Sequence, residues 1–255
     1  MQLEPKLAPV GGGIVAHLTI ELGCLMAPNT LQAAAAHLCV RGWFAGQPAS
    51  LQQIILHRAI LLKVPAGKII YRQGDPPTGL FGICSGRVKF SYTLQSGKEI
   101  VAGFGASGMW FGEVSMIDGL PRHHAATAAS ATTLVQIPRK QFDEIVTKEP
   151  ALVRNFATLL CNNLRKVLFF HDEVNSQPPL IRLAQLLSLL AQGDVQPGDK
   201  EDIVLEISQS QLASMIGLSR QTTNKLLQHL KERRLIEIQY GAIIVLNARE
   251  LLRMG

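Results

Sequence analysis

In the middle of the chain the hydrophobic residues fall into short alternating runs. Val88, Phe90 and Tyr92 alternate with polar residues, as in a half-buried strand. Turns rich in Gly and Pro separate the runs, which lie at Lys68 to Tyr71, Leu80 to Cys84 and Arg87 to Tyr92. Closely spaced short strands are typical of a roll or barrel, so the pattern predicts a β-rich block. A short helical segment that begins at about Leu38 precedes it.

After Pro138 the spacing becomes helical, and the segment from Ala151 to Asn175 contains neither Pro nor Gly. Its apolar stripe advances by steps of four and three, at Val153, Ala157, Leu160, Leu164, Val167, His171 and Val174. This spacing is that of a two-stranded coiled-coil seam, in which Asn163 and His171 could set the register. The alternative is that the stripe packs against the β-block of its own chain.

The segment from Ile207 to Leu227 shows the signals of a helix-turn-helix. Ser208 and Gln211 form a capping box, and Ser219 is placed to cap a second helix. Gly217 supplies the turn, and Ala213 is small where the two helices approach each other.

The second of these helices divides into an apolar and a polar side. Thr223, Leu226, Leu227 and Leu230 form the side that we expect to be buried. In the major groove Arg favours guanine and Gln or Asn favours adenine, which predicts base contacts from Arg220, Gln221 and Asn224. The predicted phosphate contacts are Ser208, Ser219, Thr222 and Lys225.

The run from Trp110 to Arg122 has the chemistry of a pocket for a cyclic phosphate diester. Gly112 followed by Glu113 can begin a short helix, whose free N–H groups favour an anion. The planar fork of Arg122 suits a phosphate, and the Glu113 carboxylate can accept a hydrogen bond from a ribose hydroxyl. The alternative is an ion pair between the two side chains on a turn.

This run resembles the phosphate-binding cassette of cyclic-nucleotide-binding domains, with Gly112, Glu113, Pro121 and Arg122 on the family's pattern. The resemblance implies an antiparallel β-roll in which Glu113 holds the ribose 2′-hydroxyl and Arg122 the cyclic phosphate. The effector-pocket residues that it implies are Gly112, Glu113, Val114, Arg122, His123, Val167 and Leu168.

The cassette also departs from the family's pattern. His123 and His124 follow the arginine where many cyclic-AMP-binding members carry Ser or Thr and then Ala. Val167 and Leu168 stand where the family often offers a Thr-Ser pair to the base. These departures argue against cyclic AMP as the specific ligand. The effector candidates are a cyclic nucleotide (cAMP, cGMP or a cyclic dinucleotide), and the alternatives are a vestigial pocket or a non-nucleotide signal.

The helix-turn-helix resembles that of Crp/Fnr-type transcription regulators, and Leu235 to Val245 resembles their β-hairpin wing. The resemblance implies a homodimer on a palindromic operator in double-stranded DNA, and an RNA polymerase contact by the loop Gln192 to Asp202. The fold class is α+β: an antiparallel β-roll, a long dimerisation helix and a winged helix-turn-helix. The expected boundaries are an N-terminal extension over 1–37, the β-roll over 38–147, the helix over 148–177 and the DNA-binding domain over 178–255.

Composition and missing motifs limit the classes of protein to which the chain can belong. A formal charge of +6 on 255 residues suits an anionic partner. The stretch from Leu22 to Val40 has no formal charge, but Pro28, Asn29 and Gln32 argue against a membrane span. A P-loop, a kinase signature, a G-x-S-x-G elbow and an H-E-x-x-H pair are all missing, so we expect no enzyme. A cyclic-nucleotide-binding regulatory subunit or an enzyme is the remote alternative.

Cysteine and histidine spacing gives no sign of a metal site. Cys24, Cys39, Cys84 and Cys161 are scattered, which predicts reduced thiols in a cytoplasmic protein and no iron-sulfur cluster. His123 and His124 are expected to be solvated turn residues rather than metal ligands.

Overall fold

The computed structural model describes residues 31–40, 42–97, 99–169, 176–191 and 202–254. Its first block contains two four-stranded sheets in which every strand pair is antiparallel. One sheet has the strand order β1-β8-β3-β6, with β1 at Ile60–Val64, β3 at Gly79–Ser85, β6 at Trp110–Phe111 and β8 at Thr132–Pro138. The other has the order β2-β7-β4-β5, with β2 at Ile69–Tyr71, β4 at Arg87–Thr93, β5 at Glu99–Ala106 and β7 at Ala125–Ala128. The α+β fold class and the antiparallel β-block are confirmed, and the three strands expected from alternation start and end within one residue of β2, β3 and β4.

Each face of the first sheet has its own apolar core. Between the sheets lies an aromatic cluster that includes Tyr71, Phe81, Phe90 and Phe111. On the outer face, Trp43, Trp110 and Phe156 join a second core that the helices cover. The helices of this block are α1 Leu31–Val40, α2 Gly42–Ala45, α3 Ala49–Arg58, α4 Glu113–Asp118, α5 Arg139–Lys148 and α6 Val153–Phe169, with a short 3₁₀ turn at Pro150–Leu152 before α6.

Helix α6 buries one side and leaves another open. Phe156 and Leu159 are almost fully buried in the outer core, whereas Val153, Leu164 and Val167 are exposed. The exposed residues belong to the stripe with steps of four and three. Part of the apolar surface of that stripe therefore stays uncovered by the described part of this chain. His171 and Val174, the last two positions of the stripe, lie outside the described residues.

The last block is a winged helix-turn-helix. It contains α7 Pro179–Ala191, β9 Ile203–Leu205, α8 Gln209–Met215, α9 Arg220–Glu232, β10 Ile236–Gln239, β11 Ala242–Val245 and α10 Ala248–Leu252. The predicted wing is present as β10 and β11, and β9, which the sequence patterns did not reveal, adds a third antiparallel strand beside β11. Leu212, Leu227 and Leu230 are fully buried in the core that joins these elements.

A buried arginine connects the two blocks. Arg87 on β4 donates from Nη2 to the carbonyl oxygen of Leu190 at 2.6 Å. Leu190 lies in the last turn of α7, where carbonyl groups lack helical partners and a cation is favoured by the helix dipole. The guanidinium also lies 5.6 Å from the ring centre of Phe104, which packs against the core of the winged helix-turn-helix block. The arginine thus caps α7 and fixes it against the β-roll.

Several expectations concern segments outside the described residues: Cys24, most of the N-terminal extension, and the loop from Gln192 to Glu201 with its predicted polymerase contact. The alanine-rich segment Leu31–Val40 forms α1. Within the described residues, no helix is long and apolar enough to cross a membrane, and no group of three or more His, Cys, Asp or Glu side chains is arranged to hold a metal ion.

Candidate nucleic-acid interface and effector cassette

The start of each helix in the helix-turn-helix is fixed by its own cap. At α8 the backbone N–H of Gln211 donates to Ser208 Oγ at 3.2 Å, and the N–H of Ser208 donates to Gln211 Oε1 at 2.8 Å. Gly217 adopts a left-handed φ of 64°, and the N–H of Leu218 donates to the carbonyl of Ala213, which closes α8 in a Schellman turn. At α9 the N–H of Thr222 donates to Ser219 Oγ at 3.0 Å. The predicted capping box, turn and second cap are all confirmed.

These caps orient α9 with its polar side towards solvent. Thr223, Leu227 and Leu230 are buried, and Leu226 is half-buried. The exposed residues of the helix include Arg220, Gln221, Thr222, Asn224, Lys225 and Gln228. Neither Arg220 nor Lys225 forms an ion pair with a described residue. The face thus offers uncompensated positive charge and amide groups in one row, as a helix that reads base edges requires.

Of the seven residues predicted to contact DNA, six are exposed, and the hydroxyls of two of the seven, Ser208 and Ser219, also cap the helices. Ser219, Arg220, Gln221, Thr222, Asn224 and Lys225 are accessible around the first turns of α9. Ser208 is half-buried, and its hydroxyl is engaged in the capping box. A phosphate contact by Ser208 would therefore compete with the cap of α8.

The guanidinium of Arg122 is engaged with main-chain carbonyl groups of the protein. Its guanidinium donates to the carbonyl of Gly112 at 2.7 Å and to that of Gly79 at 2.6 Å, and the residue is only 3% exposed. The ring of Tyr71 lies 4.4 Å from the guanidinium carbon, and burial lowers the pKa of the arginine and raises that of the tyrosine. Arg122 Nε has no hydrogen-bond partner among the described residues.

The backbone at Gly112 lies close to the guanidinium of Arg122. It has a φ of 88° and precedes α4, and a Cβ added there would lie 2.7 Å from Arg122 Nη1. Glycine is required both for the left-handed backbone and for this approach. The predicted short helix after Gly112 is confirmed as α4.

Glu113 is held by the long helix instead of by Arg122. The residue is 7% exposed, and its Oε1 accepts a hydrogen bond from Asn163 Nδ2 at 3.0 Å. The ion pair considered for Glu113 and Arg122 is absent from the described contacts. The sequence pattern predicts a role for Asn163 in the register of a helix pair, whereas its contact with Glu113, fifty residues away in the chain, has no local signal.

The two histidines after Arg122 have different environments. His123 is exposed, as expected for a turn residue. His124 is half-buried, with Nε2 at 3.3 Å from the Tyr71 hydroxyl and its ring edge-on to Phe90. The expectation of a solvated turn residue is therefore wrong for His124, because its ring packs onto the aromatic cluster inside the roll.

The environment of His124 should make the stability of the protein depend on pH. Burial and the charges of His123 and Arg122 lower the pKa of His124 to about 4, from an ordinary value near 6.5. Between about pH 4 and 6.5 the unfolded chain binds a proton that the folded chain does not, so stability falls as the pH is lowered through this range. The loss is up to about 3 kcal/mol, less where water reaches the ring.

We expect the His124→Gln variant to lose less stability than the wild type between pH 7 and 4.5, measured by urea unfolding at each pH. His57, His123 and His229 are present in both proteins and serve as the internal control. Equal losses in the two proteins would contradict the assignment to His124.

The remaining residues predicted for the effector pocket lie at the surface. Val114 on α4 and Leu168 on α6 are exposed, and Val167 is 64% exposed. Val167 lines a cleft next to Phe104 and Leu190. Of the residues predicted for the effector pocket, Gly112 and Arg122 are therefore in contact. Glu113 contacts Asn163, which was not predicted for the pocket, and the Val167-Leu168 pair takes no part in these hydrogen bonds.

Two families of known domains match the chain. The cyclic nucleotide-binding domain matches residues 61–149, and the Crp-like helix-turn-helix domain matches residues 181–254. The Cyclic AMP receptor protein of Thermus thermophilus is 30% identical over 185 residues, which cover 72% of this chain and 82% of that protein. The CRP-like cAMP-activated global transcriptional regulator of Mycobacterium tuberculosis is 26% identical over 214 residues, which cover 83% of this chain and 95% of that protein.

Solved structures share the fold at lower identity. The c-di-GMP-responsive global regulator CLP of Xanthomonas campestris has a TM-score of 0.59 at 19% identity and covers 78% of this chain and 99% of its own. A transcriptional regulator of the CRP/FNR family from Thermus thermophilus has a TM-score of 0.58 at 23% identity and covers 76% of this chain and 98% of its own.

Proposed function

The chain belongs to the Crp/Fnr family of DNA-binding transcription regulators, and we propose that it acts as a homodimer that reads a palindromic operator through α9. The observation that supports this most directly is the exposed row on α9, where Arg220, Gln221 and Asn224 can reach base edges. Ser219, Thr222 and Lys225 flank this row and suit phosphate groups. Such a protein works in the cytoplasm, where the DNA and RNA polymerase are.

Selection of bound fragments from random double-stranded DNA tests the function. A homodimer with one recognition helix in each subunit should select two inverted half-sites whose centres lie about one helical turn, roughly 34–36 Å, apart. Enrichment of a single half-site, or of no sequence, would contradict the proposal.

The dimer is proposed to form through the open stripe of α6. Leu164 and Val167 are more than half exposed, and they lie one helical turn apart on the stripe whose spacing fits a coiled-coil seam. Pairing with a second α6 would remove this apolar surface from water. It would also place the two α9 helices at a fixed separation.

For the cassette, the geometry favours a closed pocket over an open nucleotide site. Relatives of the chain are named for cyclic AMP, and one similar structure for c-di-GMP. In this chain, however, the phosphate-binding arginine of the pattern donates to Gly112 and Gly79, and Tyr71 covers it. A cyclic phosphate would have to displace these contacts before Arg122 could bind it. We therefore propose that Arg122 links the start of α4 to β3 inside the roll, and that the small effector binds at a different site.

The variant Arg122→Met distinguishes a structural arginine from one that binds a ligand. It would leave two carbonyl acceptors in the roll without their charged donor, and we expect the free energy of unfolding to fall by about 2–4 kcal/mol. Arg139→Met is the matched control, because Arg139 is a more exposed arginine of the same block whose ion pair with Asp143 should contribute at most about 1 kcal/mol. Equal urea midpoints for the Arg122 variant and the wild type would show that the contacts are dispensable.

Isothermal calorimetry with cAMP, cGMP and a cyclic dinucleotide completes the test. We expect no saturable heat with any of them at concentrations where the operator still binds. Saturable binding that Arg122→Met abolishes without loss of stability would restore the nucleotide-gated alternative.

A further inference from the structure

Two adjoining clefts lie beside α6. One lies between the β-roll, α6 and the DNA-binding block, and the other lies between the β-roll, α2 and α6. The first, which we call the apolar cleft, has a volume of about 450 Å³ and is lined by Ala102 and Phe104 of β5, Val167 of α6, Leu189 and Leu190 of α7, and Met215 of α8. The second, the polar cleft, has a volume of about 520 Å³ and is lined by side chains that include Gln47, Asn162, Asn163 and Arg165. Both are large enough for a small organic molecule.

The two clefts share part of their walls. Gly42, Gly108, Met109 and Lys166 line both of them. Lys166 is exposed and forms no ion pair or hydrogen bond with a described residue. A cation therefore lies at the junction between an apolar and a polar compartment.

Trp110, in the wall of the polar cleft, has an unused hydrogen-bond donor. The residue is 1% exposed, and its indole N–H has no hydrogen-bond partner among the described residues. A buried donor without an acceptor is costly, and an acceptor supplied from outside the protein would remove that cost.

We propose that these clefts form a binding site for a small amphipathic anion, with its apolar body in the apolar cleft and its acidic group beside Lys166. The apolar walls match a hydrocarbon or aromatic body, and the one cation common to both clefts matches an acid. Neither Arg122 nor Glu113 is among the described residues that line these clefts, and the site adjoins Glu113 only through its partner Asn163 in the polar cleft.

Occupancy of the site would affect the DNA-binding block directly. Phe104 and Leu190, which Arg87 contacts through its guanidinium, both line the apolar cleft. A ligand that contacts β5, α6 and α7 together binds more tightly to the arrangement in which these elements are close, and so favours that arrangement.

The probe for the site is 4-butylbenzoate, with 4-butylbenzyl alcohol as its neutral counterpart. Trp43 and Trp110 are the only tryptophans of the chain, and both line the polar cleft, so intrinsic fluorescence of the full-length protein reports binding without DNA. We expect a saturable change with the benzoate. The alcohol should bind about two- to five-fold more weakly, and Lys166→Gln should remove this difference.

Substitutions at Ala102 locate the bound probe. Ala102 is exposed and lines the apolar cleft, so Ala102→Phe places a ring in the mouth of the cleft and should weaken benzoate binding about tenfold or more. Ala102→Ser is the matched control, because it changes the same position with little change in volume. Urea unfolding of both variants shows whether they fold.

Three results would overturn the proposal. The first is the absence of a saturable fluorescence change with 4-butylbenzoate. The second is equal binding by the wild type and the folded Ala102→Phe variant. The third is binding that appears only in a monomeric variant such as Leu164→Glu, because a second copy of the chain would then occupy the clefts. None of these results depends on operator binding. Failure of the proposed ligand site can therefore be distinguished from failure of the proposed function in DNA binding.

Discussion

The Arg220→Ala variant should lose most of its operator affinity and its preference at one base of each half-site. Arg220 follows the cap Ser219 at the start of α9 and is exposed without an ion pair among the described residues. One bidentate contact between arginine and guanine discriminates by about 1–3 kcal/mol, so two copies in a dimer should account for a roughly 30- to 20 000-fold loss. Fluorescence anisotropy with the selected operator, and with operators changed at single bases, measures both effects.

Arg249→Ala is the charge-matched control for this prediction. Arg249 is an exposed arginine on α10, which packs against α7, and its loss removes one positive charge without changing α9. We expect a small reduction that is the same for all sequences, because a general loss of charge affects binding to any phosphate backbone. If both variants bind the operator equally well, Arg220 is not a base-reading residue.

The Leu164→Glu variant should be a monomer that no longer binds a full operator tightly. Leu164 is 53% exposed in the single chain and lies on the stripe that is proposed to pair. A carboxylate there would be buried against apolar side chains of the second helix, which is unfavourable without a partner. Once the half-sites are read independently, the gain from linked binding, typically about 10²- to 10⁴-fold, is lost. Light scattering gives the mass, and anisotropy gives the affinity.

Asn162→Glu introduces the same charge on the same helix but off the stripe. Asn162 is exposed, so the variant should remain a dimer and bind the operator with nearly wild-type affinity. A Leu164→Glu protein that keeps the mass and affinity of the wild type would place the dimer interface elsewhere.

The helix-turn-helix could be predicted from sequence because its signals are local. Ser208 and Gln211 are three residues apart, and the turn at Gly217 and the cap at Ser219 follow within the same short segment. Their contacts are determined by backbone geometry over a few residues. The exposed and buried sides of α9 then follow from helical periodicity.

The cassette illustrates the opposite case. Its residues and its short helix were visible in the sequence, but their partners were not. Gly79, which accepts from Arg122, is 43 residues away in the chain, and Asn163 is 50 residues from Glu113. Such contacts depend on how the strands and α6 pack, which no local pattern encodes. Strand β9 was missed for a similar reason, since three residues without turn signals acquire strand geometry only by pairing with β11.

The hydrogen bond from Arg87 to Leu190 also bears on how readily the protein can change its shape. A bond of this kind, from a charged donor, contributes about 1.5–3 kcal/mol. Taken alone, it would hold any arrangement that lacks it to a population of roughly 1–10%. A signal that moves α7 away from the roll must first overcome this bias, so the strength of this contact helps to set how much signal the regulator needs before it responds.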